Sequence, residues 1–446
     1  MQTRVSMIIA CYNKAQYIAK TLQSVCEQIW DHLEVILVND GSTDDTRMII
    51  YDWERILTKR GYSVIIINQD NAGVAGAIKK GLEYASGEYL CFPDADDEIT
   101  PEYVSSMAEI LDDNSSIDFV VCDLALRQEA NTQISTVIST NEEPLSCKNR
   151  LEQSLLHRFT LTVCNILFRS SVFDSLGITR YMEVIPPVSQ EPQILIPLFH
   201  SRTKGTVLHR PLYIYNTYAR GLGLSHIKKP IEMILNKYHE LTVSTINHLN
   251  ETAIEKERLN NVALVGNMIH VLQIISHNDR AKYYDYFLGA LHSIIPLSYN
   301  ITNDTIKKGG IDFLLHAMSN NILGISIREL PIISGRVYAF GSLGQYAQNL
   351  LPYFKNTSLW PDVFWDKAAT KQSSIFDGSC VSPVNAGQIE KGDTLLCFPQ
   401  NKLVLDEVNK IAQERNAYAY NHDDIMDIMS SVYYPQVYEN RFVSTS

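Results

Sequence analysis

Phe92-Pro93-Asp94-Ala95-Asp96-Asp97 is the stretch on which the reading of this chain turns. It ends the apolar run Tyr89-Leu90-Cys91-Phe92, which predicts a short buried strand. It precedes Thr100-Pro101-Glu102, a helix start with Pro at the first helical position. Three carboxylates at the end of a buried strand lose hydration and repel one another unless something cationic sits among them. A hard divalent ion suits them, because Mg2+ or Mn2+ takes one or two carboxylates and completes its shell with water and phosphate oxygens. An isolated Asp-x-Asp also reads as a solvated turn capping the next helix, so the neighbouring segments decide.

Those segments alternate between strand and helix. Val5 to Ala10, Leu33 to Asn39 and Val64 to Asn68 are apolar runs of strand length. Asn13 to Gln28 carries Tyr17, Ile18, Leu22 and Val25 at helical spacing, and Ala75 to Ala85 reads as a further helix. Gly41 to Asp45 opens another, with Ser42 as N-cap and Asp45 three residues on, the pattern of a capping box. Continuous apolar strands between amphipathic helices predict an α/β fold with a mainly parallel sheet covered on both faces. Ligands of such sheets bind at the carboxyl ends of the strands. The acidic triplet and Asp40 both lie at such ends, which joins them into one expected site.

Composition narrows the function classes. With 446 residues the chain has room for several domains, and 45% hydrophobic with 20% charged residues is ordinary for a globular core. A net charge of -12 argues against nucleic acid as a partner; Lys228-Lys229 is one small basic patch. None of the eight cysteines forms a Cys-x-x-Cys pair, so no zinc site is signalled and reduced thiols in a cytoplasmic protein are expected. Neither a signal-peptide core nor a membrane-length apolar window occurs, so any membrane contact is expected from the inner surface.

We divide the sequence into an α/β domain at 1–228, a helical region at 229–334, a small Rossmann-like α/β domain at 335–432 and a tail at 433–446. The helical patterns Ile231 to Leu249 and Ala253 to His277 mark the second part. The strand Val337 to Phe340, followed by Gly341-Ser342-Leu343-Gly344 and by a strand ending in Asp366, marks the third.

Residues 5 to about 225 resemble the family-2 glycosyltransferases, whose domain has the GT-A nucleotide-sugar-binding fold. The resemblance rests on Ser6 to Asn13, on Val38-Asn39-Asp40-Gly41-Ser42-Thr43-Asp44, and on Asn71-Ala72-Gly73 through Glu88-Tyr89. It continues in the acidic motif, Asn165 to Ser170 and Gln190-Glu191-Pro192-Gln193. It implies transfer of a sugar from a nucleotide-diphosphate sugar, a UDP-sugar above all, to a glycan or lipid-linked glycan acceptor in bacterial surface polysaccharide synthesis. Mn2+ or Mg2+ is the implied cofactor, and Asp96 its direct ligand. The resemblance puts Asp94 and Ala95 beside the donor, with Asp97 as a substitute ligand or a helix cap. Asp40 would bind the base, in a pocket lined by Ala10 and Tyr12, near Asn71 and Gly73. Glu191 aligns with the general base. One base and no evident nucleophile imply direct displacement with inversion.

Some positions depart from the family. Ile78 stands where an Arg is usual, with Lys79 beside it as a substitute charge, and Tyr215-Asn216-Thr217-Tyr218 replaces Tyr-Arg-x-His. Arg220 and Ser225 are then the candidates for phosphate contacts, and His226 for a late metal ligand. These gaps keep a second class open, a catalytically silent nucleotide-sugar-binding or assembly protein. The third part resembles small Rossmann-like modules found beside sugar-processing enzymes; its glycine fingerprint is incomplete, so an assembly role and a bound ligand both stay open, as does a homo-oligomer.

Overall fold

The computed structural model describes residues 2–128, 134, 136–138, 145, 149–157, 162–182, 191–217, 231–272, 283–291, 311–323, 335–340, 361–365, 375–376, 379–382, 386–391, 393–398 and 402–433. The chain forms two compact units, 1–263 and 264–446.

In the first unit β1 (Val5–Cys11), β2 (Leu33–Asp40), β3 (Ser63–Gln69) and β4 (Tyr89–Cys91) alternate with α1 (Ile18–Cys26), α2 (Thr46–Arg60) and α3 (Gly73–Leu82). There follow β5 (Glu98–Ile99), α4 (Tyr103–Asp113), β6 (Phe119–Arg127), β7 (Thr136–Ile138), α5 (Arg150–Leu155), β8 (Ile166–Arg169), α6 (Ser170–Leu176), α7 (Glu191–His200), β9 (Gly205–Asn216) and α8 (Ile231–Asn247), and then α9 (Ala253–Leu272), within which the division between the units falls. The strands make one sheet in the order β3-β2-β1-β4-β8-β6-β9-β5, with β7 paired to β6. β1 to β4 are parallel, β8 runs antiparallel to β4 and β6, β9 runs parallel to β6, and β5 antiparallel to β9. The expected mainly parallel α/β sheet is therefore present, with one reversed strand at its centre.

The alternation of the strands sorts the core. Val5, Met7, Ile9 and Cys11 of β1 pack with Ile18, Leu22 and Val25 of α1 and Ile50 and Leu57 of α2 in one buried cluster. The opposite face carries α3, which Gly81 brings close: a Cβ there would lie 2.4 Å from Ile8 Cγ2 and 3.4 Å from Val38 Cγ2. Ile78 is buried in the core, so the usual arginine position holds an apolar packing residue here. At the amino ends of the strands the buried Glu34 accepts hydrogen bonds from Ser6 Oγ, Ser86 N–H and Ser86 Oγ, and Ser6 Oγ in turn accepts from Gly87 N–H. A buried carboxylate with its lone pairs taken locks that end of the sheet. The carboxyl ends carry the loops of the candidate site.

Two local expectations fail. The capping box at Ser42 does not form, because α2 starts at Thr46 without a side-chain cap on it from Asp45. Ser42 Oγ instead accepts from Asn13 N–H and donates to Cys11 O across the sheet edge. Asp44, not Ser42, serves the helix start, accepting from Thr46 N–H at 3.0 Å. Likewise Pro101 lies in the turn before α4 rather than at its first helical position.

The second unit contains α10 (Tyr284–Leu291), α11 (Ile311–Leu323), β10 (Val337–Phe340), β11 (Val363–Trp365), β12 (Ile375–Phe376), β13 (Ser379–Ser382), β14 (Thr394–Cys397), α12 (Lys402–Arg415), β15 (Tyr418–Tyr420) and α13 (His422–Tyr433). Its sheet order is β12-β13-β11-β10-β14-β15, parallel except for β12. Setting β12 aside, the strands run third, second, first, fourth, fifth, the doubly wound order of a Rossmann-like sheet. Gly341, Gly344 and Asp366 lie outside the described residues.

Replacing Gly81 by Ala should destabilise the first unit by about 1–3 kcal/mol, because the added methyl meets packed β1 and β2 side chains. A denaturant midpoint equal to wild type would show that α3 is not held as close as described.

Candidate active site

The site is assembled where β1, β2 and β4 end. Register places Cys11 of β1 beside Asn39 of β2, and Met7 of β1 beside Cys91 of β4. The same register sets Cys91, the last residue of β4, level with Val35 of β2, so β2 runs on past the end of β4 to Asp40. Asp40 therefore stands at one end of the site and Asp94 to Asp97 at the other.

At the β2 end Asp40 is buried, and its Oδ1 accepts from Gln69 Nε2 at 2.7 Å and from Ala72 N–H at 2.8 Å. Its main-chain oxygen accepts from Asn71 Nδ2 at 3.1 Å. No hydrogen bond reaches Oδ2 from the described residues, so one oriented oxygen is left as an acceptor. The turn that allows this needs Gly41. Its φ is +70°, and a Cβ there would lie 2.8 Å from Asn71 N. Asn39, where the family often has a second acid, is spent on structure: its Oδ1 accepts from Ser42 N–H and its Nδ2 donates to Asn68 Oδ1.

The loop after β1 is fastened to the loop after β2. Asn13 adopts a left-handed φ of +51°, which aims its Oδ1 at Thr43 N–H, 2.8 Å away. Lys14 N–H donates to Thr46 Oγ1 at 2.7 Å and Ala15 N–H to Asp44 Oδ2 at 3.1 Å.

At the β4 end, Asp94, Asp96 and Asp97 bring carboxylate oxygens within 4.8 Å of one another. The three have different surroundings. Asp97 is buried, and both its oxygens are taken: Tyr213 Oη donates to Oδ2 at 2.9 Å and Asn216 N–H to Oδ1 at 2.7 Å. It does not cap α4, and each of its oxygens already accepts one hydrogen bond. Tyr213 Oη also accepts from Asp94 N–H at 3.1 Å, and Asn216 Nδ2 donates to Asp96 O at 3.0 Å. On the other side Thr21 Oγ1 donates to Ala95 O at 3.0 Å. The loop is thus held by β9 and α1, with Asp94 and Asp96 only half-buried. The Asp96 carboxylate is met by Lys14 Nζ at 2.5 Å. A dication that takes one or two carboxylates suits this donor set: Asp96 has its only described side-chain partner in a movable cation, while Asp97 is committed elsewhere.

Glu191 opens α7, which packs on the turn Val163–Asn165. Its Oε2 is buried without a hydrogen-bond partner among the described residues. Cys164 lies in that turn. Burial pushes its thiol well above the usual value, and the charges of Asp94, Asp97 and Glu191 push it further in the same direction. Tyr213 behaves alike: burial raises its phenol first, and Asp97 and Asp94 add to it, so it stays a hydrogen-bond donor.

Of the residues singled out in the sequence, Ala10 is half-buried at the end of β1 and Tyr12 is 39% exposed just beyond it. Gly73 opens α3 with φ +72°. Lys79 is on an exposed face of α3, and no described contact joins it to the acidic groups. Arg220, Ser225 and His226 lie outside the described residues. Sequence reasoning missed Lys14, Tyr213 and Asn216. A lone lysine in an exposed turn carries no signal, and the other two lie more than a hundred residues from the loop they hold.

The sequence model for "Glycosyl transferase family 2" matches residues 6–177, the segment that carries β1 to β8 and the acidic loop. Residues 6–177 are a glycosyl transferase family 2 segment. Among curated relatives, an uncharacterized glycosyltransferase EpsJ of Bacillus subtilis is 25% identical over 57% of this chain and 73% of its own length. The poly-beta-1,6-N-acetyl-D-glucosamine synthase of Staphylococcus epidermidis is 31% identical over 39% of this chain. The chain spans 41% of that synthase, and 39% of EpsH of B. subtilis. Among solved structures, residues 1–349 of Staphylococcus aureus TarS with UDP-GlcNAc align over 75% of this chain and 95% of theirs, at 17% identity and a TM-score of 0.46.

Tyr213→Phe removes one donor from the buried Asp97 carboxylate and one acceptor from Asp94 N–H. We expect a loss of about 1–3 kcal/mol in unfolding free energy. Chemical denaturation followed by circular dichroism measures it, and an unchanged midpoint would mean that the Asp97 contact is dispensable.

Proposed function

We propose that the first unit catalyses inverting transfer of a sugar from a nucleotide-diphosphate sugar, a UDP-sugar in our reading, to a hydroxyl of a glycan acceptor. The observations that support it best are the cluster of Asp94, Asp96 and Asp97 carboxylates after β4 and the buried Oε2 of Glu191, which opens the helix packed on the Val163–Asn165 turn. The free Oδ2 of Asp40 suits a base that offers a ring N–H, as uracil does, and Tyr12 offers a flat face beside it. The diphosphate then falls toward Asp94 and Asp96, where Mn2+ or Mg2+, when bound through Asp96, supplies Lewis-acid stabilisation of the leaving diphosphate.

The chain's own groups divide the rest of the work. Tyr213 and Asn216 hold the acidic loop so that Asp94 and Asp96 face the donor. Glu191 Oε2, buried and without a described partner, is positioned to take the proton of the acceptor hydroxyl as it attacks the anomeric carbon from the side opposite the diphosphate. The proton moves to Glu191, the bond to the diphosphate oxygen breaks as the new glycosidic bond forms, and configuration inverts.

The acceptor class is our reading of the relatives' names, one of which is a poly-beta-1,6-N-acetyl-D-glucosamine synthase. Growth of a bacterial surface polysaccharide, on a glycan or lipid-linked glycan, is the corresponding proposal. No helix among the described residues is long and apolar enough to cross a membrane, so a lipid-linked acceptor would be met at the membrane surface. Arg220 and Ser225 remain our candidates for phosphate contacts, and Lys79 a weaker one.

Glu191→Gln should retain nucleotide binding while transfer falls about 10²–10⁴-fold; transfer at the wild-type rate would remove Glu191 as the base. Asp96→Asn should abolish the Mn2+-dependent part of UDP binding measured by calorimetry, and metal-dependent binding that survives it would overturn the ligand assignment. Nucleotide binding without donor hydrolysis or transfer in the unmodified protein would favour the silent binding protein, a reading that the buried, uncharged Ile78 keeps open.

A further inference from the structure

Lys14 answers to no motif, yet its ammonium is the only described side-chain partner of the Asp96 carboxylate, 2.5 Å from Oδ2. Both side chains are largely shielded, 16% and 13% exposed, so their attraction is stronger than that of a surface pair. The Lys14 backbone is fixed on both sides. Its N–H donates to Thr46 Oγ1, and its carbonyl accepts from Tyr17 N–H and Ile18 N–H, each at 2.9 Å. Only the side chain is left to move, on four methylenes from a rigid turn. Its charge thus sits on the carboxylate that a dication would use.

Two cations cannot share one carboxylate oxygen at that distance. A divalent ion arriving alone must either displace Lys14, leaving a half-buried ammonium without its anion, or bind against its repulsion. A nucleoside diphosphate removes the conflict, because it brings anionic oxygens that a lysine point charge can follow without a fixed geometry. We propose that Lys14 is the resident counter-ion of Asp96 and makes metal entry conditional on the donor: its ammonium leaves the carboxylate as the ion arrives and passes to the diphosphate. The inference rests on the donor-site reading above and adds to it a positioning residue and an order of binding.

The test titrates the full chain with Mn2+, following free Mn2+ by electron paramagnetic resonance, and with UDP at saturating Mn2+ by calorimetry. Lys14→Met should bind Mn2+ alone about ten-fold more tightly than wild type, and UDP about ten-fold more weakly, since about 1.4 kcal/mol corresponds to each factor of ten. Lys14→Arg, which keeps the charge, should stay near wild type in both. The opposite signs separate this role from a structural one, because damage to the loop would weaken both ligands together. Unchanged Mn2+ affinity in Lys14→Met, or a parallel loss of both, overturns the inference. If Asp96→Asn abolishes Mn2+ binding in the same assay, that failure belongs to Lys14 alone. If wild type takes up no Mn2+ even with UDP, the metal site itself is wrong and the inference falls with it.

Discussion

The buried carboxylate of Asp97 is the constraint around which the acidic loop is arranged. A charge at that depth is tolerated only when it is hydrogen-bonded, and one phenol and one amide N–H of β9 each donate to one of its oxygens. Because the same phenol accepts from Asp94 N–H and the same asparagine reaches Asp96 O, satisfying Asp97 also sets the backbone of its two neighbours. The acid that looks like the third member of a metal cluster is therefore the anchor of the other two. That division explains how three carboxylates share 4.8 Å without all three demanding a cation.

The remainder of the donor side depends on the parallel core. β1, β2 and β4 lie side by side with their apolar faces pinned by α1, α2 and α3, and the polar network at Glu34 closes the amino ends. Packing decides where the loops start, and hydrogen bonds between loops decide what they present. Asp40 is oriented by Gln69 and Ala72, and Lys14 by Thr46. None of these contacts is local along the chain, and each uses a side chain of a different strand or helix.

Much of this was legible in the sequence. The unbroken apolar runs at Val5, Leu33 and Val64 told the parallel strands, and the family resemblance marked Asp40, the acidic stretch and Glu191, which does open a helix. The errors share one cause. Ser42 has the spacing of a capping box, but a hydroxyl bonds whichever donor tertiary structure brings nearest, here Asn13 across the sheet edge. Asp97 has the spacing of a cap or a ligand, but Tyr213 and Asn216 reach it from 116 and 119 residues away. Asn216 looked like a missing arginine and is instead a clamp on the acidic loop. Local pattern reports backbone preference, and it carries no information on which distant polar group will claim a side chain.

The lacing of Asn13, Lys14 and Ala15 to Thr43, Thr46 and Asp44 has one further consequence. It joins the loop that carries Lys14 and the loop that follows Asp40 into one piece. The helix that begins at Glu191 is attached through other contacts, on the turn at Val163. Under the proposed function, the segment that meets the acceptor could then be altered without disturbing the loops that face the donor.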